Sequence, residues 1–199
     1  MVLIIVTGAA VAFVASYFLF PTWEKEKVHK ALVEMLRANL QYYRQIRGLY
    51  RGKSFESLPH KLARKDVYVK TANLASAFQR MFSEPKSKQV NIKEIHQFSV
   101  LNHAFSSYVA TLALYATEHF DHIPHLAEVQ SIASNTERLL ENSIKRLEDK
   151  EALLDEPALF QIRNHHTHED EGILLIPEQF INIQKVAFDI RRVVDRVEV

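Results

Sequence analysis

The sequence predicts an all-α fold, with one N-terminal transmembrane helix followed by a cytoplasmic antiparallel helical bundle. The chain opens with a long uncharged run, has only four glycines among 199 residues, and then repeats apolar residues at intervals of three and four. Scarce glycine and abundant helix-forming residues favour helices throughout. Alternating strand patterns and hairpin dipeptides are absent. We therefore assign residues 1–22 to the membrane helix and residues 23–199 to the cytoplasmic domain.

The membrane helix is predicted from Val2–Phe20, 19 consecutive residues without a charge. As a helix this run measures about 28 Å, close to the roughly 30 Å hydrocarbon core of a bilayer. Trp23, Lys25, Lys27 and Lys30 follow it, and these residue types are typical of a membrane–water interface on the cytoplasmic side. Because the span begins directly after the initiator methionine, we expect it to be the last helix of a larger membrane protein.

Two alternatives compete with the membrane span. A secretory signal peptide has a basic stretch before its apolar core and a core of only about 7–15 residues. Here the charges follow the run, and Tyr17–Pro21 is a poor cleavage context. A buried core helix is the second alternative, but such helices rarely carry so long an uncharged run. The span is the preferred interpretation.

Apolar periodicity and capping residues give the bundle helices. The first is predicted from about Glu24 to Tyr50, ended by Gly48 and Gly52. Ser57 is a candidate N-cap for the second, and Asn91 for the third. The later predicted helices run from Ser57 to about Ser83, from Asn91 to about Phe120, from about His125 to Leu154 and from Pro177 to about Val197, with a short helix after Pro157.

Each helix has a predicted buried stripe. In the first helix the spacing is heptad-like, which also predicts self-association with other copies. Its stripe is Leu32, Leu36, Asn39, Tyr43, Ile46 and Tyr50. The second helix is expected to bury Leu62, Ala72, Ala75, Phe78 and Phe82. The third is expected to bury Ile92, Ile95, Phe98, Leu101, Phe105, Val109 and Leu112, and the fourth Leu126, Val129, Ile132, Leu139, Leu140, Ile144 and Leu147.

Charge is unevenly distributed along the chain. Residues 21–100 hold 16 Lys and Arg against 7 Asp and Glu, whereas residues 101–199 hold 9 against 17. A basic half suits a domain beside an anionic lipid bilayer, and no nucleic-acid recognition motif accompanies it. On the first helix Arg37, Arg44 and Arg47 form candidate contacts with lipid headgroups or an anionic ligand. A purely solvated basic face is the alternative.

Signals of catalysis are absent from the sequence. The chain has no cysteine, no glycine-rich phosphate loop, no G-x-S-x-G and no H-E-x-x-H motif. We predict neither enzymatic activity nor a cofactor. Imidazoles and carboxylates do cluster twice, but without a fixed metal-ligand signature. The resulting weak candidates for a metal are His119, His122, His125, His165, His166 and His168.

Asn102 and His103 lie in the middle of the predicted third helix among apolar residues. A histidine in this setting is most simply a hydrogen-bonded core residue. The alternative is contact with a ligand or transfer of a proton, since imidazole changes charge near physiological pH. Both residues are therefore candidate ligand contacts.

Several segments resemble the fusaric-acid-resistance-like (FUSC) inner-membrane proteins, particularly the YccS/YhfK branch. The resemblance begins with the apolar run that passes through Pro-x-Trp into a basic helix, and it covers nearly the whole chain. The matching segments are TGAAVAFVASYFLFPTWEKEKVHKAL (residues 7–32), RANLQYY (37–43), ARKDVYVKTANLASAFQRMFSEP (63–85), LNHAFSSYVATL (101–112) and LLIPEQFINIQ (174–184).

The resemblance implies the C-terminal cytoplasmic portion of a membrane transporter that exports aromatic or other organic acids. Other membrane helices of such a protein would be needed for transport, because substrate sites lie between several helices. A stand-alone membrane-tethered scaffold or sensor, which binds a metal or a protein partner, is the alternative function.

Overall fold

The computed structural model describes residues 5–9, 11, 24–86, 89–118, 127–150, 152 and 171–197. The described residues form helices joined by turns and contain no strand, which confirms the all-α fold class. We number the bundle helices α1 Glu24–Leu49, α2 Ser57–Phe82, α3 Ile92–Glu118, α4 Ala127–Glu148 and α5 Glu171–Val194.

Most of the predicted membrane span lies outside the described residues. Residues 5–9 and 11 are helical, and the side chains of Ile5, Val6 and Val11 are exposed. Within the described ranges, no helix combines the length and the apolar character needed to cross a bilayer.

Helix α1 occupies the centre of the bundle. It contacts α2 most extensively and also packs against α3 and α4, while α5 covers α3 and α4. Helix α2 lies mainly on α1 and has little contact with α3. The bundle therefore consists of α1, α3, α4 and α5 around a shared core, with α2 attached to the flank of α1.

The heptad-like stripe of α1 forms the middle of this core. All six predicted residues of the stripe are buried, each at most 1% exposed. Tyr43 donates a hydrogen bond to the carbonyl of Ala133 at 3.3 Å, and Tyr50 donates one to the carbonyl of Leu112 at 3.0 Å. Burial raises the pKa of both tyrosines, so both phenols remain protonated donors. The stripe thus fixes α1 against α3 and α4 within one chain.

A glycine just beyond the end of α1 terminates the helix, as predicted. Gly52 has φ 82°, the left-handed conformation that glycine adopts without strain. The amide of Lys53 donates to the carbonyl of Gly48, and the amide of Gly52 donates to Leu49, both at 3.0 Å. This pair of bonds is a Schellman motif, which satisfies the last carbonyls of α1 and turns the chain towards α2.

The predicted orientation of α2 is wrong. Leu62 and Phe82 are 56% and 58% exposed, Ala72 and Ala75 are exposed, and Phe78 is half-buried. The helix instead packs on α1 through the opposite face, and its buried residues are Ala63, Val67, Leu74, Ala77 and Met81. The inner face therefore combines two alanines and a valine with Leu74 and Met81, whereas Leu62 and Phe82 lie outside.

The stripes predicted for α3 and α4 are confirmed where they are described. All of the α4 residues named above from Val129 onward are buried, as are five of the seven on α3. Ile92 and Leu101 are half-buried and pack against the core, and Leu126 lies outside the described residues.

Some helix boundaries also differ from expectation. Glu56 occupies the N-cap of α2 in an extended conformation without a side-chain cap bond, so the helix starts at Ser57 and the predicted serine cap is wrong. Helix α4 ends at Glu148, before the predicted Leu154. Helix α5 begins at Glu171 and contains Pro177, which was expected to start it. Burial of Ile176 and Phe180 on either side of the proline favours continuation of this helix.

Candidate functional site

A cavity of about 320 Å³ opens where α1 begins, α2 ends and α3 starts. Its floor is apolar, and the C-terminal end of the α5 region closes one side. This volume is at the lower end of the range for small-molecule pockets. The lining residues are Lys25, Glu26, Val28, His29, Leu32, Met81, Val90, Asn91, Ile95 and Val197.

The cavity combines an apolar floor with polar groups at its mouth. Val28, Met81 and Ile95 are at most 2% exposed, so they form a fixed surface. Lys25 and His29 are half-buried one helical turn apart on α1, while Glu26 is exposed. Such an arrangement suits a ligand with an apolar body and a negatively charged group near Lys25.

Backbone geometry shapes the α3 side of this cavity. Asn91 has φ 54°, a left-handed conformation that asparagine tolerates better than most residues. Its carbonyl accepts the amide of Ile95 at 2.8 Å. Asn91 therefore precedes α3 as predicted, although its backbone lacks the extended conformation that is usual for an N-cap.

Sequence reasoning named Lys25 as a membrane-interface group, and it named Leu32, Ile95 and Asn91 as core or capping residues, but it did not place them in one cavity. Trp23 lies outside the described residues. Lys27 is exposed on α1, and Lys30 lies 3.9 Å from Glu34, which also pairs with Lys70 of α2 at 3.0 Å. The other lining residues come from four separated segments, and no sequence pattern could have joined them before the fold was known.

The three arginines predicted to contact lipid or an anionic ligand face carboxylates of α4. Arg37 pairs with Glu148, and Arg44 pairs with both Glu137 and Glu141. Arg47 binds Glu137 and also donates to the hydroxyl of Ser134 at 2.5 Å. These bonds give the arginines a structural position in the α1–α4 seam. A further contact with lipid or ligand stays an untested prediction.

The Arg47–Glu137 pair is the most enclosed part of this seam. The two side chains are 13% and 18% exposed, whereas Arg37 is 64% exposed. Removal of one partner of an enclosed pair leaves a charge that water reaches poorly. We therefore expect stability to depend on Arg47 and Glu137 more than on Arg37.

Asn102 and His103 have different surroundings despite being adjacent. Asn102 is 1% exposed, accepts a hydrogen bond from the amide group of Asn39 at 2.7 Å and donates to the carbonyl of Phe98 at 2.8 Å. His103 is exposed. The hydrogen-bonded core role therefore belongs to Asn102, and the expectation of a core histidine at position 103 is wrong.

All six histidines proposed as weak metal candidates lie outside the described residues. Within the described ranges, no group of three or more His, Asp or Glu side chains could hold a metal ion.

Sequence reasoning did not identify His60 as a contact between α2 and α1, because a single histidine near a helix start carries no sequence signal. Its ring stacks on Tyr42 of α1 at 5.7 Å between centroids and makes a T-shaped contact with Phe55 at 5.6 Å. Burial, together with the nearby charges of Arg64 and Lys61, lowers the pKa of His60. The neutral imidazole is therefore favoured in the folded protein.

The chain is similar to two bacterial proteins. It is 30% identical over 105 residues to the inner membrane protein YccS of Escherichia coli K12, an alignment covering 53% of this chain and 15% of YccS. It is 24% identical to an uncharacterized protein of Haemophilus influenzae, over 182 positions that cover 78% of this chain and 24% of that protein. The similarity relates the chain to YccS-like membrane proteins. No protein-family model matches it, and no solved structure does.

Proposed function

We propose that this chain is the C-terminal cytoplasmic portion of a FUSC-type membrane transporter in the bacterial inner membrane, with no enzymatic activity of its own. The observation that carries the proposal is the cavity at the start of α1, the helix that the uncharged run Val2–Phe20 leads into. Similarity to part of YccS supports a transporter-related membrane protein. The exported compounds would be aromatic or other organic acids.

The cavity would hold such an acid before it enters the membrane-embedded path. The apolar floor of Val28, Met81 and Ile95 would receive the ring or chain of the compound. Lys25 would balance its carboxylate, and a cation beside a partly enclosed pocket attracts an anion more strongly than one in bulk water. Self-association with other copies is a further part of this proposal, and it would use a surface other than the heptad-like stripe of α1, which is buried within one chain.

Efflux from cells tests this function. Cells that express the protein are loaded with radiolabelled salicylate, and its loss is compared with that from a deletion strain. We expect deletion to slow efflux. Val28→Trp, which fills the cavity, and Lys25→Glu, which reverses its charge, should slow efflux while the protein level in membranes stays normal. Lys145→Glu, exposed on α4, is the matched control.

Two results would contradict the proposal at different points. If deletion leaves efflux of salicylate and of other aromatic acids unchanged, the transport function is wrong. If deletion slows efflux but both cavity variants behave like the Lys145→Glu control, transport stands and the cavity has no part in it.

A further inference from the structure

The outer face of α2 carries an apolar row where a solvated surface is expected. Leu58, Leu62 and Val69 are 67%, 56% and 44% exposed. Together with the exposed Ala72 they follow intervals of four, seven and three residues, so they lie in one line along the helix, with Lys65 between Leu62 and Val69. The buried contacts of α2 lie on the opposite side. Single exposed apolar residues are ordinary, but an aligned row indicates a surface that something covers.

Basic residues accompany this row. Both lysines of this region are exposed: Lys61 lies beside Leu62, and Lys65 lies between Leu62 and Val69. Over its whole length α2 has five Lys and Arg residues and a single acidic residue, Asp66. An apolar row bordered by lysines is typical of helices that lie in the interface of an anionic membrane.

We propose that the outer face of α2 docks onto an anionic lipid surface, with Leu58, Leu62 and Val69 entering the headgroup region. Lys61 and Lys65 would bind the lipid phosphates or carboxylates around them. This contact is separate from the cavity and from the arginines of α1, whose carboxylate partners are on α4. It rests on the part of the proposed function that places the chain at a membrane.

Charge complementarity favours lipid over a second copy of the same helix. Two α2 faces brought together would each add an excess of positive charge, and like charges across an interface oppose association. An anionic leaflet instead attracts basic residues within a Debye length of its surface. The length of α2, 26 residues or about 39 Å, also gives an extended contact line instead of a single anchoring point.

Labelling at single cysteines tests the contact directly, because the chain has no cysteine of its own. Leu62→Cys and Val69→Cys report on the row, and Lys185→Cys, exposed on α5, reports on a surface remote from it in sequence. Each full-length variant carries a polarity-sensitive fluorophore and is reconstituted into vesicles containing brominated lipids, which quench on contact. Vesicles of phosphatidylcholine alone are compared with vesicles that also contain phosphatidylglycerol.

We expect quenching at positions 62 and 69 to exceed that at 185 by at least twofold in the phosphatidylglycerol vesicles. The difference should fall in phosphatidylcholine alone and at high salt. Lys61→Glu combined with Lys65→Glu should abolish it, whereas Lys145→Glu combined with Lys185→Glu, assayed with the probes at 62 and 69, should leave it intact.

Other outcomes would overturn the inference. Equal quenching at all three sites would show that the row does not touch lipid. If quenching at positions 62 and 69 is unchanged by charge reversal of Lys61 and Lys65 and by the phosphatidylglycerol content, an anionic surface is excluded as the specific partner. Efficient disulfide formation between copies at Leu62→Cys, with no quenching, would assign the face to a second copy. Failure of the chain to remain with membranes at all would instead contradict the proposed function.

Discussion

Helices α1 and α2 have the same length and lie side by side, yet they contribute to the bundle in different ways. Both contain 26 residues. Helix α1 contacts α2, α3 and α4, so most of its circumference is buried, whereas α2 contacts α1 and touches α3 only slightly. The difference teaches that position in the bundle, more than length or composition, decides which side chains stabilise the fold and which remain available for a partner.

Truncation of one leucine on each helix gives the largest expected contrast. Leu36 is 0% exposed and Leu62 is 56% exposed. Leu36→Ala should lower the free energy of unfolding by about 2–5 kcal/mol, because the core cannot fully close the cavity. Leu62→Ala should change it by less than about 0.5 kcal/mol. Urea titration of the full chain in detergent, followed by circular dichroism, measures both, and similar losses would contradict the proposed asymmetry.

Neutralisation of one carboxylate extends the contrast to charged groups. Glu137→Gln keeps the shape of the side chain but removes the charge that both Arg44 and Arg47 bind. We expect a loss of about 1.5–3 kcal/mol, the range for hydrogen bonds to charged groups. Asp66→Asn is the matched change on the exposed side of α2 and should cost less than about 0.5 kcal/mol. Equal effects in the same titration would show that the α1–α4 seam is only a surface network.

The contrast also explains what the sequence could predict. A central helix buries most of its residues, so any regular apolar stripe on α1 was bound to be in the core, and the six predicted residues are. On α2 the apolar residues Leu62 and Phe82 were assigned to the core face, but the inner face is the one that carries Leu74 and Met81. Both faces of α2 carry leucine and alanine, so the apolar pattern alone did not identify the face that packs on α1.

Polar groups show the same limit. Arg44 and Arg47 were recognised as a charged face of α1, but their partners lie 90 or more positions away, at Glu137 and Glu141. Likewise Asn39 fits an apolar heptad stripe only because Asn102 is opposite it. One sequence contains no signal for such pairings until the helices are arranged in space. The cavity at the start of α1 was unpredictable for the same reason.

Replacement of the buried asparagine pair tests whether a change on α1 lowers stability more than a similar change on the exposed face of α2. Asn39→Leu leaves the side-chain oxygen of Asn102 without its buried donor, which should cost about 1–3 kcal/mol. The double change of Asn39 and Asn102 to leucine should cost less than the sum of the single changes, because no polar partner remains. Asn73→Leu, exposed on α2, is the control. Additive effects in this cycle would show that the two asparagines are not coupled.

The smallest expected effect concerns the contact between the two helices. His60 of α2 stacks on Tyr42 of α1, and burial lowers its pKa below the unfolded value of 6.5. As the pH falls below that value, the unfolded chain binds a proton that the folded chain resists, so His60 should cause a loss of stability. At higher pH both states are neutral and its contribution stays constant.

His60→Phe keeps the ring contact with Tyr42 but removes this titration. Between about pH 5 and pH 8, the melting temperature of the variant should decline less on acidification than that of the parent chain. His103→Gln, a change at an exposed histidine of α3, is the matched control. If His60→Phe also follows the parent, the imidazole is protonated equally well in both states, and water must reach the α1–α2 contact. In that case water would reach the inner face of α2 as well as its outer face. The attachment of α2 to α1 would then be looser than its buried residues indicate.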